Sequence, residues 1–174
     1  MKSSKKILIT ASVLITALII GSMVIIRNDI ELMSPVEPQY NRISVDKFDR
    51  LDFSPRWIVS ITQGIGYKVE VAVEDSLVLK PMIKLADGTL YFSIDTVDSR
   101  ETSGTIRAKI MTPVLKGIRS VGGTRIHLRN FESDSLTVEI EDRSVFTGVD
   151  NKFEFVSFKS FGDARIELTE TPDF

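Results

Sequence analysis

The sequence predicts an all-β domain that follows one N-terminal transmembrane helix. Twenty uncharged residues, Ile7 to Ile26, stand behind a start that contains Lys2, Lys5 and Lys6. Beyond them, apolar residues alternate with polar ones as in a half-buried strand, and a four-residue turn recurs in the last third. We expect a cytoplasmic tail at 1–6, a transmembrane signal-anchor at 7–26, a linker at 27–42 and an extracytoplasmic β domain at 43–174.

The apolar run has the length of a membrane span. Twenty residues at about 1.5 Å each make a helix of roughly 30 Å, which matches the hydrocarbon core of a bilayer. A cleaved signal peptide is the alternative, and it requires small residues at the cleavage site. The stretch Ile19 to Met23 places bulky Ile there, and the apolar run continues to Ile26. An uncleaved anchor is therefore the prediction.

The charges that flank the span predict its orientation. Lysines precede it, whereas Arg27 behind it is soon offset by Asp29 and Glu31. Because an excess of Lys and Arg stays cytoplasmic, we predict an inner-membrane anchor with the N terminus inside and the domain in the periplasm. Export after signal cleavage is the alternative. The chain has no Cys, which excludes a lipidated Cys, disulfides and thiolate chemistry.

The exported part is acidic. The first 27 residues hold four of the 22 basic residues and none of the 24 acidic ones. Nucleic-acid binding needs a clustered basic face, so we predict no nucleic-acid partner. Both signs are spread along the predicted strands, which is typical of a solvated surface. The expected partners are the membrane, through residues 7–26, and an envelope glycan or protein.

The predicted strands follow a linker that contains Pro35 and Pro38, which we interpret as a stalk. In the segment Tyr67 to Val73, alternate valines share one face and charged residues lie on the other. The other predicted strands are Trp57 to Ile61, Leu90 to Ile94 and Ile106 to Met111. The connections are turns at 63–66 and 85–90 and a polar loop at 96–104, and Pro113 ends the last of these strands.

The final third contains a weak repeat. The segments 121–126, 140–145 and 161–166 each place four small or polar residues between two apolar ones, at offsets of 19 and 21 residues. One such unit is too small to bury its apolar face, whereas stacked neighbours form a continuous core. This favours a β-solenoid. A β-sandwich, whose hairpins also recur at short intervals, is the alternative.

Four segments of the chain resemble the head GIN domain, the putative autotransporter adhesin domain of Bacteroidetes-type envelope proteins. They are Phe48 to Val73 (FDRLDFSPRWIVSITQGIGYKVEVAV), Asp87 to Ile94 (DGTLYFSI), Met111 to Arg125 (MTPVLKGIRSVGGTR) and Phe161 to Leu168 (FGDARIEL). The resemblance implies a right-handed β-solenoid-like fold, an exported location and no established enzymatic activity. The chain departs from the family in lacking a lipoprotein Cys and in having room for fewer coils.

The single histidine is the first candidate for a functional residue. His127 lies between Ile126 and Leu128 in an alternating strand, so its side chain is expected to point outward. A lone His without Cys or clustered carboxylates does not make a metal site. We predict an exposed surface residue rather than a general base or a ligand.

An acidic patch is the second candidate. Glu139 and Glu141 are two residues apart and share a strand face, beside Asp142. Together with Glu132 or Asp134 they would offer oxygen ligands to Ca²⁺, and paired carboxylates also suggest sugar hydrolysis. The glycine-rich calcium signature is missing from the repeat. The prediction is a solvated face without a metal.

Glycines near the turns are expected to form coil corners. These are Gly122, Gly123, Gly148 and Gly162, and no sequence context for a phosphate-binding loop surrounds them.

Aromatic residues of the first strands have two interpretations. Trp57 and Tyr67, with Phe53, would make a sugar platform or, as we favour, a cap over the open end of the core. At the other end of the chain, the charges and proline of Glu170 to Asp173 are expected to discourage edge pairing.

We therefore predict a membrane-anchored, extracytoplasmic binding or scaffolding domain of adhesin-like type, without a catalytic, cofactor-binding or metal site. Pairing of an edge strand near the C-terminal end with a partner, or with a second copy, is a variant of this prediction. The alternatives are a polysaccharide-active β-helix enzyme and an envelope assembly or stress component.

Overall fold

The computed structural model describes residues 38–73, 79–96 and 104–169. The predicted transmembrane segment 7–26 lies outside the described residues. Within them the chain forms strands and no helix, so none of the described elements is a helix able to span a membrane. The all-β class is confirmed for this part of the chain.

Thirteen strands make up the described part, and most are short. They are β1 (Asn41–Ile43), β2 (Arg50–Phe53), β3 (Trp57–Gln63), β4 (Lys68–Val73), β5 (Leu79–Ala86), β6 (Thr89–Thr96), β7 (Ile106–Thr112), β8 (Gly117–Ser120), β9 (Arg125–Arg129), β10 (Glu132–Glu141), β11 (Val145–Val149), β12 (Lys152–Phe161) and β13 (Arg165–Thr169).

The strands form two mixed sheets. The seven-stranded sheet has the order β1-β4-β7-β3-β9-β11-β13, and the six-stranded sheet has the order β12-β10-β8-β2-β6-β5. Pairing is parallel from β7 to β13 and from β12 to β6. Only β1, β4 and β5 pair antiparallel, and all three lie at the same end of the sheets.

Neighbouring strands in the last third are offset by 20 residues. Val145 is in register with Arg125 on one side and with Arg165 on the other. The turns between the sheets follow the same offset, because Gly123 N donates to Asp142 O at 2.8 Å and Asp142 N donates to Phe161 O at 3.3 Å. The repeated turns of the sequence are therefore neighbours in space.

The core lies between the two sheets and follows the alternation of the strands. Phe53 of β2, Trp57 of β3 and Phe92 of β6 are buried, and the rings of Phe53 and Phe92 stack at 4.6 Å. Trp57 meets Phe92 edge-on at 5.2 Å across the sheets. Such aromatic clusters bury large apolar areas in favourable geometry and hold the two sheets together.

The turn predicted at 85–90 is a tight hairpin between β5 and β6. Asp87 and Gly88 have φ angles of 49° and 73°, and Asp and Gly tolerate this left-handed conformation better than other residues. The four strands predicted from alternation are confirmed as β3, β4, β6 and β7. The strand β1 begins at Asn41, two residues before the predicted start of the domain.

Candidate binding surface

The two sheets leave their core open at one end. Within the described residues, β12 and β13 are edge strands with a neighbour on one side only. Leu128 of β9 is 0% exposed, whereas Leu168, which follows it by two strands in the same register, is 64% exposed. Val138 is likewise 0% exposed, and its neighbour Phe158 is 36% exposed. Core positions of the last two strands thus face solvent.

A groove of about 460 Å³ opens at this end. It exists because Gly148 occupies an inward position of β11 that is Leu128 in one neighbouring strand and Leu168 in the other. A Cβ at Gly148 would lie 2.9 Å from Leu168 Cδ2 and 3.2 Å from Asn151 Nδ2, so a larger side chain would narrow the groove. Its other lining residues are mostly apolar: Leu136, Phe146, Phe153, Val156, Phe158 and Thr169.

The outer face of β12 adds two exposed aromatic rings. Phe155 is 72% exposed and Phe161 is 53% exposed. They share this face because they are in register with Ser135 and Glu141 of β10, and side chains alternate along a strand. Monomeric surfaces rarely collect so many large apolar groups, and such a patch is typical of an interaction site.

The opposite end of the sheets is closed. The edge strand β1 has only three residues, and the other edge, β5, contains Pro81 between exposed Lys80 and Lys84. Proline lacks an N–H donor, and lysines on an edge repel a further strand. Beneath this end, Phe48 is buried against Tyr67, with ring centroids 5.2 Å apart.

The predicted acidic patch is an ion-pair network around Arg119. Arg119 Nη2 lies 3.0 Å from Glu141 Oε1, and Arg119 Nη1 lies 3.6 Å from Asp52 Oδ2. Arg119 Nε is 4.0 Å from Glu139 Oε1. The hydrogen bond from Arg119 to Glu141, with the neighbouring carboxylates, raises the pKa of the guanidinium. The patch is therefore occupied by a cation of the chain itself.

Glu132 and Asp134 do not join this network. They lie at the start of β10, and the five residues from Asp134 to Glu139 span about 16 Å in an extended strand. The backbone of Glu132 is engaged with Gln63, whose Nε2 donates to the Glu132 carbonyl at 2.8 Å. Within the described residues, His, Asp and Glu form no group of three or more that could hold a metal ion.

His127 lies on the outer face of the seven-stranded sheet, as predicted, and is half-buried. Its neighbours across the strands are Ser60 and Thr147. Burial lowers the pKa of His127, and the positive charges of Arg129 and Arg125 lower it further. The neutral imidazole is therefore favoured near pH 7.

The remaining candidates have structural positions. Gly122, Gly123 and Gly162 stand in turns with φ angles of 66°, 77° and 65°, as expected of corners. Gly148 is not a corner but an inward residue of β11, as described above.

Trp57 and Phe53 are fully buried in the middle of the sheets, so they form neither a sugar platform nor an end cap. Tyr67 alone lies near the closed end, against Phe48.

Comparison with known families gives one match over this domain. The model of the family described as putative auto-transporter adhesin, head GIN domain, matches residues 47–171. The chain belongs to this family. No curated protein matches the chain.

Solved structures share the fold of this head GIN domain. A putative adhesin from Bacteroides fragilis NCTC 9343 has a TM-score of 0.64 at 19% identity, over 75% of this chain and 62% of that one. A putative lipid binding protein from Parabacteroides distasonis ATCC 8503 has a TM-score of 0.54 at 14% identity, over 78% of this chain and 68% of that one. The chain thus spans less than two thirds of the first of these proteins.

Proposed function

We propose that this head GIN domain is a membrane-anchored, extracytoplasmic adhesin-like module that binds through the open end of its core rather than by catalysis. Residues 7–26 would hold it in the inner membrane, with the domain in the periplasm. The family membership supports the adhesin-like role. The uncharged run of 20 residues behind three lysines supports the anchor and its orientation.

A solenoid-like stack is the arrangement that we infer for the two sheets. Successive strands from β8 to β13 alternate between the sheets, and each pairs in parallel with the strand two positions further along the chain. Asn151 also links successive layers, because its Oδ1 accepts from Phe131 N and its Nδ2 donates to Leu128 O, both at 3.0 Å. In such a stack the last layer needs a cover.

The observation that carries the proposed function is the contrast between the covered layers and the exposed last one. Five large apolar side chains of β12 and β13 face solvent beside two unpaired strand edges. Burying a side chain of this size contributes about 1.5–3 kcal/mol, so a partner that covers the end gains substantial free energy. The five are Phe155, Val156, Phe158, Phe161 and Leu168.

A second copy of the chain is the partner that fits this end. Head-to-tail stacking is disfavoured because the other end is closed by β1, by antiparallel β4 and by the proline-containing edge of β5. Open end against open end gives a twofold, self-complementary contact, the commonest kind of homodimer interface. In an antiparallel copy of β12 centred on Phe158, Phe155 lies opposite Phe161 of the second copy, which is a favourable aromatic pair.

The association can be tested on the full chain in a non-ionic detergent by sedimentation velocity over a range of protein concentrations. We expect a reversible dimer, and we expect Phe155→Lys together with Leu168→Lys to leave a monomer because both changes place charge on the open end. The matched control is Met82→Lys together with Tyr91→Lys, which also replaces two exposed apolar side chains, away from that end. A wild-type monomer at all concentrations, or equal loss in both variants, would contradict the proposal.

The location is tested separately by protease accessibility in cells. We expect the domain to be protected in intact cells and to be digested once the outer membrane is permeabilised. Digestion in intact cells would contradict the periplasmic location and would place the domain on the cell surface. A domain that stays protected after permeabilisation would contradict export.

A further inference from the structure

The outer face of the seven-stranded sheet concentrates positive charge in a domain that is acidic overall. The cross-strand registers place on this one face every basic side chain of the sheet, and only Glu70 and Glu167 oppose them. The sequence suggested that both signs were mixed along the strands, and the fold sorts them by face. We call this surface the basic face; its cations are Arg42, Lys68, Arg107, Lys109, Arg125, Arg129 and Arg165.

The outer face of the six-stranded sheet is different. One row across it reads Lys84, Tyr91, Asp52, Arg119, Glu139 and Lys159, so that opposite charges lie next to one another. Those charges neutralise each other within the protein, as the contacts of Arg119 show.

On the basic face the acidic residues are already engaged locally. Glu70 Oε1 is 2.7 Å from Lys68 Nζ, and Glu167 Oε1 is 3.8 Å from Arg165 Nη1. Arg125 and Arg129, both exposed on β9 at the centre of the face, form no ion pair with any described residue. Their charge is available to a ligand.

The cations have a regular spacing along the stack of strands. Arg107, Arg125 and Arg165 occupy one row of the register, on β7, β9 and β13, with one strand between each pair. Because adjacent strands are about 4.8 Å apart, the arginines recur about every 10 Å. Between them, the hydroxyls of Ser60 and Thr147 lie in the adjacent row, beside His127.

We propose that the basic face binds an acidic polysaccharide that lies along the row of arginines. The cations would pair with carboxylate, phosphate or sulfate groups, and the hydroxyls would hydrogen-bond to the sugars. A single-stranded nucleic acid would need aromatic side chains for base stacking, and the three central strands β7, β3 and β9 present none on this face. A membrane surface would favour apolar side chains that insert, and the exposed residues at its centre are charged.

This site is independent of the open end, because its central residues lie on β7, β3 and β9, away from β12. Either proposal can therefore fail without the other.

The binding test uses the full chain in a non-ionic detergent, with polygalacturonate as the acidic probe and dextran as the neutral one. We expect saturable binding of polygalacturonate that weakens as salt is added, and no binding of dextran. Reversing two central charges, in Arg125→Glu with Arg129→Glu, should weaken binding by about tenfold or more, since charge-assisted contacts become repulsive.

The matched control reverses two exposed lysines of the other sheet, in Lys80→Glu with Lys84→Glu. It changes the net charge by the same amount, and we expect binding within about twofold of wild type because the basic face is untouched. Equal weakening in both variants would show that net charge alone governs binding and would overturn the proposal. Binding to a vesicle of anionic lipid or to a DNA oligonucleotide, with none to polygalacturonate, would also overturn it.

His127 supplies a readout that needs no substitution on the face. It is the single histidine of the chain, so its ring resonances can be followed by NMR without ambiguity. The charged groups around it are Arg125 and Arg129 on its own strand, Lys109 across β3 and Glu167 across β11. A polyanion bound there should raise its pKa, because negative charge favours the imidazolium. An unchanged pKa at saturating polygalacturonate would contradict binding at this face.

Discussion

The two ends of the strand stack differ in how they finish the same architecture. At the closed end the edges are the three-residue β1 and the proline-containing β5, both added by antiparallel pairing. At the open end the edges are β12, with ten residues, and β13, both added in parallel by the repeat. Short strands, Pro and Lys block further pairing at one end, whereas the other end offers an edge on which another strand can add.

This difference shows that the repeat itself does not complete the core. Each repeat covers the layer before it, so Leu128 and Val138 are buried while Leu168 and Phe158 are not. The antiparallel strands at the closed end cover a layer without needing another. The open end has no such strands among the described residues, and a partner would serve the same purpose.

The largest effect that we predict compares the same substitution inside the stack and at its open end. Phe92→Ala removes a ring that is 1% exposed and should lower the free energy of unfolding by about 3–5 kcal/mol. Phe158→Ala removes a ring that is 36% exposed and should cost less than about half of that. Denaturant unfolding at a concentration where the wild type is monomeric provides the measurement. Equal losses would mean that the end is as well packed as the centre.

A second prediction breaks the contrast by unblocking the closed end. In the variant Lys80→Thr, Pro81→Val, Lys84→Thr, the edge of β5 regains an N–H donor and loses two charges. We expect a new, concentration-dependent association beyond the dimer, visible as larger species in sedimentation velocity. The control Lys80→Arg, Lys84→Arg retains the proline and the charge, and it should sediment as the wild type does. Identical behaviour of both variants would show that these residues do not protect the edge.

The smallest effect concerns the middle of the seven-stranded sheet, away from both ends. The pKa of His127 is lowered in the folded protein, so between that pKa and the unfolded value of about 6.5 the unfolded chain binds more protons. Folding stability should therefore fall as the pH drops below about 6.5, and the loss is complete below the folded pKa. His127→Gln should remove this part of the pH dependence. Denaturant midpoints from pH 8 to pH 5 measure it, and an unchanged slope would contradict the assignment.

Local pattern predicted part of this fold. The strands β3, β4, β6 and β7 are long enough for alternation to identify them, but β2 and β8 have four residues each, too few for a period to be recognised. The placement of β2 between β6 and β8 depends on long-range pairing, which no local pattern encodes. The recurring turns were visible because their small and polar residues stand out from the strands.

The binding surfaces were predicted less well, for two physical reasons. Gly148 was expected at a corner, since a glycine in sequence does not reveal that it replaces an inward Leu. Arg119 was not singled out, although a repeat aligned at 20 residues places it beside Glu139, as the structure does. The basic face was hidden because its cations come from separate strands whose neighbours are set by the fold.

Site-specific crosslinking tests the central claim, that the open end pairs with a second copy, most directly. The chain has no Cys, so one introduced thiol reports on one position. Ser157→Cys lies in the exposed part of β12, and Met82→Cys is the matched position on β5 at the closed end. With a flexible bis-maleimide on the membrane-embedded full chain, we predict crosslinked dimers for Ser157→Cys and monomers for Met82→Cys. No dimer at Ser157→Cys, or equal dimer at both positions, would contradict the claim.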